Sequence, residues 1–154
     1  MQSETQLHAS CVSINGAGVL LLGPPGAGKS DLILRLIDVP GYGTGNELLT
    51  AMLIADDQVA IERKGESLIA SAPAALRGRL EVRGLGIVKV PAMSAVTIRL
   101  AVRLTATGAI ERMPDLEKST FEVLGIILPL VLIDPERNSA PARLRAALRM
   151  FLKW

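Results

Sequence analysis

From Ala95 to Thr105 apolar and polar residues alternate. Val96, Ile98, Leu100, Val102 and Leu104 share one parity, while Thr97, Arg99, Arg103 and Thr105 share the other. A period of two predicts a half-buried strand with those five aliphatic side chains on one face. Shorter runs predict more strands. Val12–Ile14 and Val19–Leu22 flank Asn15-Gly16-Ala17-Gly18, a hairpin turn by composition. Met52–Ala55 reads as a buried strand, VAIER and SLIAS as a hairpin around Lys64-Gly65-Glu66, and FEVLGI and LPLVLI as two further strands. Helical periodicity occurs at two places. One is Asp31 to Ile37, followed by a glycine-rich loop from Val39 to Glu47. The other is the C-terminal helix, where Leu144, Ala147, Leu148, Phe151 and Leu152 form an apolar stripe. There Ser139 can cap, Pro141 suits the first turn, and Arg143, Arg145, Arg149 and Lys153 decorate the face away from the stripe.

Strands therefore dominate the middle of the chain, and they come in hairpins. That order predicts an α/β protein whose sheet is mixed and rich in antiparallel strands, closed by a C-terminal helix. It argues against the regular strand–helix alternation of small nucleotide kinases and GTPases. The Asn-Lys-x-Asp guanine-reading motif of GTPases does not occur either.

Between the second strand and the first helix lie Gly23, Pro24, Pro25, Gly26, Ala27, Gly28, Lys29 and Ser30. This is the complete G-x-x-x-x-G-K-[ST] phosphate loop (Walker A), in the strand-then-helix context that its chemistry needs. Glycines let successive N–H groups turn toward phosphate oxygens, Lys29 reaches the terminal phosphates, and the Ser30 hydroxyl can ligate Mg²⁺. The predicted ligand is a nucleoside triphosphate.

Composition narrows the class further. At 154 residues the chain fits one domain, 1–154, with a core that is aliphatic because only 3% of residues are aromatic. The single cysteine, Cys11, excludes an internal disulfide framework and reads as a small buried hydrophobe. The longest apolar stretch, Val123 to Ile133, contains Gly125 and Pro129 and is too short to span a bilayer. The N-terminus lacks the pattern of a signal peptide. A soluble, cytoplasmic protein without membrane attachment is expected. Net charge is +2 without interleaved aromatic residues, so nucleic acid is not the expected partner.

Two more constellations bear on chemistry. In Leu53-Ile54-Ala55-Asp56-Asp57 a buried strand ends in adjacent carboxylates, which point in different directions. One can serve the metal shell while the other accepts a proton from an attacking hydroxyl. In Glu81-Val82-Arg83-Gly84-Leu85-Gly86-Ile87-Val88 the glycines suggest close backbone packing, and Glu81 and Arg83, two apart, would share a strand face.

Read together, HASCVSINGAGVLLLGPPGAGKS, LIADDQVAI and EVRGLGIVKV resemble the catalytic domain of HPr kinase/phosphorylase, chiefly over residues 7 to 91. That family phosphorylates a serine of the phosphocarrier protein HPr and reverses the reaction with inorganic phosphate. The resemblance implies a phosphate-loop fold of the HPr kinase/phosphoenolpyruvate carboxykinase type, with ATP and Mg²⁺ as cofactors and an HPr-type carrier as partner. It implies that Gly23 to Ser30 hold the nucleotide and that Asp56 is the general base, with Asp57 beside it. It also implies catalytic roles for His8 and Lys29, places Ser30 and Glu81 at the metal, and sets Arg83 near the phosphates. Only seven residues precede His8, so the resemblance is to a short form without the N-terminal domain of long members. The family's carrier-gripping loop is shortened here to Ala106–Lys118. The turn Asp134-Pro135-Glu136-Arg137-Asn138 resembles an Arg-Asn turn of long members. Whether phosphorolysis is kept, and whether the chain forms a homo-oligomer, stay open. Two rival readings remain: a small-metabolite kinase, and a nucleotide-sensing module without catalysis. On the kinase reading the C-terminal arginines are either a solvated face or a docking surface for an acidic carrier.

Overall fold

Ten residues of strand β9 (Ala95–Leu104) form the axis of the fold in the computed structural model, which describes residues 3–154. One edge of β9 pairs in parallel with β3 (Ala17–Leu22). The other edge is shared. Residues 95–97 pair antiparallel with β6 (Ser67–Ser71), and residues 101–104 pair parallel with β11 (Ile126–Ile133). From β6 the sheet continues through β5 (Val59–Lys64) to β1 (Glu4–Leu7), and from β3 through β2 (Ser10–Ile14) to β4 (Ala51–Ala55). Strand β10 (Thr120–Val123) pairs with β11. Apart from the β3–β9 and β9–β11 pairs, the strand pairings are antiparallel, as the hairpin-rich sequence predicts.

The alternation in β9 does not put its five aliphatic residues on one face. Gly18 pairs with Ile98 and Val19 with Leu100, so Arg99 is an extra residue in the ladder. A bulge exchanges the faces beyond it. Val96 and Ile98 therefore pack with Ala101, while Leu100, Val102 and Leu104 join the opposite cluster. Gly18 makes the bulge feasible, because a Cβ there would lie 2.7 Å from the Thr97 carbonyl oxygen.

Two cores result. One joins Val12, Val19, Leu21 and Leu53 to helix α1 (Lys29–Asp38) through Leu32 and Leu36, and to helix α2 (Ala140–Leu152) through Leu144 and Leu148. The other, on the opposite face of β2 and β3, gathers Cys11, Leu20, Ile54, Ile61, Leu68 and Val96. Each fully buried aliphatic side chain contributes roughly 1.5–3 kcal/mol, and covering both faces of β2 and β3 leaves no residue of either strand exposed.

Several local expectations change. FEVLGI is not one strand: Leu124 (φ 50°) and Gly125 (φ 80°) are the turn between β10 and β11. The EVRGLGI segment is a separate hairpin, β7 (Arg79–Val82) and β8 (Gly86–Lys89). Its glycines do not mediate close packing. Gly84 and Gly86 have open space where a Cβ would stand, and both adopt positive φ, Gly84 in the turn and Gly86 at the first position of β8. Arg83 lies in that turn, beyond the strand that holds Glu81. Helix α2 forms over the expected residues, but Ser139 does not cap it; its Oγ accepts a hydrogen bond from Arg143 Nε at 2.8 Å.

Arg145 and Arg149 do not face solvent. They are 3% and 9% exposed and reach under the 39–48 loop. Arg145 Nη2 donates to the carbonyls of Leu36 and Val39, both at 3.0 Å, satisfying the C-terminal end of α1. Arg149 donates to the carbonyls of Tyr42 and Glu47. These two arginines are internal staples, which removes them as a docking surface.

Candidate active site

Gly28, at φ 103°, turns the chain into α1, so the helix begins at Lys29 rather than Asp31. The N-terminus of α1 then faces the Gly23–Ser30 loop, where free N–H groups and the helix dipole favour an anion. Lys29 is 5% exposed; its Nζ donates to the carbonyls of Gly23 (2.6 Å) and Pro24 (3.2 Å) and lies 3.6 Å from Asp57 Oδ1.

Strand β4 ends at Ala55, beside the start of β2, and delivers Asp56 and Asp57 to this loop. Their surroundings differ. Asp56 Oδ1 accepts hydrogen bonds from Ser30 Oγ at 2.7 Å and Ser10 Oγ at 3.3 Å, and Asp56 Oδ2 accepts from the Glu81 N–H at 3.0 Å. Asp57 sits in the left-handed region, φ 61°, with its side chain 61% exposed. Its N–H donates to Ser10 Oγ at 2.9 Å.

Ser10 is the residue that sequence reasoning missed. It is fully buried, and its hydroxyl links both aspartates. The signal was present in the HAS segment, two residues after His8, but its partners lie 46 and 47 positions away. Glu81 enters the cluster through its backbone, with an exposed side chain. His8 and Arg83 occupy an exposed bend and an exposed turn. Neither side chain is hydrogen-bonded or ion-paired among the described residues, although each lies two positions from a group bound to Asp56.

The second wall of the loop is the 134–138 turn. Arg35 is salt-bridged to Asp31 (3.0 Å) and donates to the carbonyls of Pro135 and Arg137. Arg137 Nε donates to Thr107 Oγ1 at 3.0 Å, and the Thr107 hydroxyl and N–H both donate to Asp134. The Thr107 hydroxyl first, then the Glu136 N–H at 3.0 Å, hold the Asp134 carboxyl below its usual value. A cavity of about 470 Å³ lies between Gly26–Gly28, Asp31, Arg35 and Pro135.

The donors near the loop are all oxygens: Ser30 Oγ, the two aspartates and the Glu81 carboxylate at the edge. This is the hard-ligand chemistry of Mg²⁺, which keeps several waters and takes phosphate oxygens instead of demanding a protein cage.

Loop, helix N-terminus and strand-end carboxylates on a mixed sheet define a phosphate-loop protein of a kind distinct from the parallel-sheet kinases. The family is shown by comparison: residues 1–144 match the HPr Serine kinase C-terminal domain, and the chain belongs to that family. It is 34% identical over 161 residues to HPr kinase/phosphorylase of Prosthecochloris aestuarii and 35% identical over 162 to that of Chlorobium limicola. Each alignment covers 96% of this chain but 44% and 46% of the relative, so the chain spans a little under half the length of those proteins. The solved Hpr(Ser) kinase/phosphatase from Coxiella burnetii superposes with a TM-score of 0.75 at 26% identity, covering 97% of both chains. The resemblance read from the three sequence blocks is thus borne out, as is the mixed α/β fold. No helix among the described residues is long and apolar enough to cross a membrane.

Proposed function

We propose that this chain is an ATP-dependent protein-serine kinase that phosphorylates an HPr-type phosphocarrier in the cytoplasm. The observation that carries the reading is the junction of loop and strand end: Ser30 donates to Asp56 at 2.7 Å while Asp57, next in sequence, lies 3.6 Å from Lys29. A phosphate-binding loop, a metal-organising carboxylate and a freer carboxylate are the parts phosphoryl transfer requires.

The surroundings of the two aspartates favour a division of roles different from the sequence expectation. Asp56, expected as the base, has both oxygens engaged by three donors, which suits holding Ser30 and the metal shell. The Asp57 carboxylate is exposed and, its 3.6 Å ion pair with Lys29 apart, accepts no hydrogen bond among the described residues, so a hydroxyl can reach it and we assign it the base. Asp57 takes the proton from the seryl hydroxyl as its oxygen bonds to the γ-phosphorus and the β,γ-bridging bond breaks, releasing ADP. In phosphorolysis an oxygen of inorganic phosphate bonds to the phosphoserine phosphorus as the seryl O–P bond breaks, Asp57 passes the proton of the attacking phosphate to the seryl oxygen, and pyrophosphate leaves. Lys29 and the loop N–H groups neutralise phosphate charge. Ser30, with Asp56 and Glu81 nearby, would hold Mg²⁺, which supplies charge neutralisation across the β- and γ-phosphates. His8, two residues before Ser10, and Arg83, two after Glu81, are assigned to the approach of the carrier and to phosphate charge, respectively.

The test is incubation with labelled ATP, Mg²⁺ and HPr-type carriers, followed by phosphoserine analysis. Labelled phosphoserine on a carrier is expected. Label on a small metabolite instead would favour the metabolite-kinase reading, and nucleotide binding without transfer to any acceptor would favour a sensor.

A further inference from the structure

The β7–β8 hairpin has two unlike faces. Leu80 is fully buried, and Val82, Val88 and Val90 pack against the core under the helices. The other face is bare. Arg79 pairs with Lys89 and Glu81 with Ile87, and all four residues are exposed. At the tip Leu85 is 77% exposed, and Ile87 is 66% exposed just behind it. From Arg77 to Lys89 the segment carries four cations against one carboxylate. Like charges directly opposite on a hairpin repel, and clustered exposed aliphatic side chains mark interaction surfaces. Both features cost free energy in the isolated chain, and an acidic partner with an apolar centre would relieve both. The position is apt too, because the Glu81 N–H is bonded to Asp56, so this face adjoins the carboxylates.

We propose that the outer face of the β7–β8 hairpin docks the protein that carries the acceptor serine, gripping an acidic surface with Arg79 and Lys89 and an aliphatic patch with Leu85 and Ile87. The identity of that partner rests on the kinase reading above; the docking face rests on the hairpin. A second copy of this chain is the less suitable occupant, since its own net charge is +2.

The experiment measures binding of a fluorescently labelled HPr-type carrier to the full chain at low and high salt, with transfer kinetics in parallel. Arg79→Glu with Lys89→Glu should weaken carrier binding about tenfold or more and flatten its salt dependence. Ile87→Ser should weaken it at every salt concentration. The carrier KM should rise in step, with the KM for ATP and the kcat at saturating carrier unchanged. Thermal melts confirm folding, which these exposed positions leave intact. Unaltered carrier affinity in both variants overturns the proposal, as does a wild-type chain that binds no carrier. So does a wild-type dimer that the charge reversal dissociates. A chain that binds the carrier through this face without phosphorylating it would refute the kinase reading and leave the docking face standing. Transfer that proceeds with hairpin variants of undiminished affinity would do the reverse.

Discussion

Asp56 accepts three hydrogen bonds with two oxygens, so an asparagine there must turn its amide toward either the serine hydroxyls or the Glu81 N–H. Asp56→Asn should weaken Mg²⁺-dependent nucleotide binding about 10- to 100-fold, the usual cost of losing a group that orients a metal ligand. Asp57→Asn should leave that binding nearly unchanged and lower phosphotransfer roughly 10²- to 10⁴-fold, because the amide cannot take a proton. Calorimetric titration beside the phosphoserine assay separates the two, and the reverse pattern would restore Asp56 as the base. Ser10→Ala removes the acceptor of the part-buried Asp57 N–H and should cost about 0.5–1.5 kcal/mol in urea unfolding, the net worth of one hydrogen bond. The phosphate loop was legible because its chemistry is contiguous in the chain. Ser10 was not, since nothing local distinguishes a strand serine with distant partners. Lys29 was half legible: its phosphate-reaching role follows from the motif, but not its burial against the Gly23 and Pro24 carbonyls.

Helix α2 shows what periodicity conceals. Its apolar stripe was read correctly, but Arg145 and Arg149 beside it point under the 39–48 loop instead of into solvent, while Arg143 stays exposed. A hydrophobicity pattern sees only an apolar covering, whereas here the covering element is backbone carbonyls. Burial pushes the Arg145 pKa down, yet a guanidinium stays charged at any ordinary pH. Arg145→Ala, removing a charged donor from the Leu36 and Val39 carbonyls, should destabilise the fold by about 1.5–3 kcal/mol. Arg145→Lys should recover only part of that, since an ammonium cannot reproduce the fork. Urea denaturation with an unchanged m-value checks both; stabilities equal to wild type would mean that the loop hydrates freely. Strand β9 gives the complementary lesson. Its existence and bounds followed from alternation, while the bulge at Arg99 depends on Gly18 of a neighbouring strand and left no local mark.

At the scale of the molecule, the site and the second core are joined through β2, which begins with Ser10 and carries Cys11 as its next residue. Cys11 is fully buried, and burial pushes its thiol from 9.0 to about 12. Modification by a thiol reagent near pH 8 therefore requires the chain to open. The folded-state value is raised, so the contribution of this burial to stability is complete below the ordinary thiol range and is lost as pH climbs toward 12. A ligand that binds only the folded loop stabilises by RT ln(1 + [L]/Kd), about 2.7 kcal/mol at a hundredfold excess over Kd. For a chain of this size that is a rise in Tm of about 5–10 °C. If exposing Cys11 takes global unfolding, saturating MgADP should slow its modification about 100-fold under the same conditions. Lys29→Ala should abolish both the Tm rise and the protection, while the bare variant melts somewhat lower than wild type because the loop carbonyls lose their donor. Rapid Cys11 labelling at a rate indifferent to nucleotide would show that β2 opens independently of the phosphate loop, and would break the coupling between core and site.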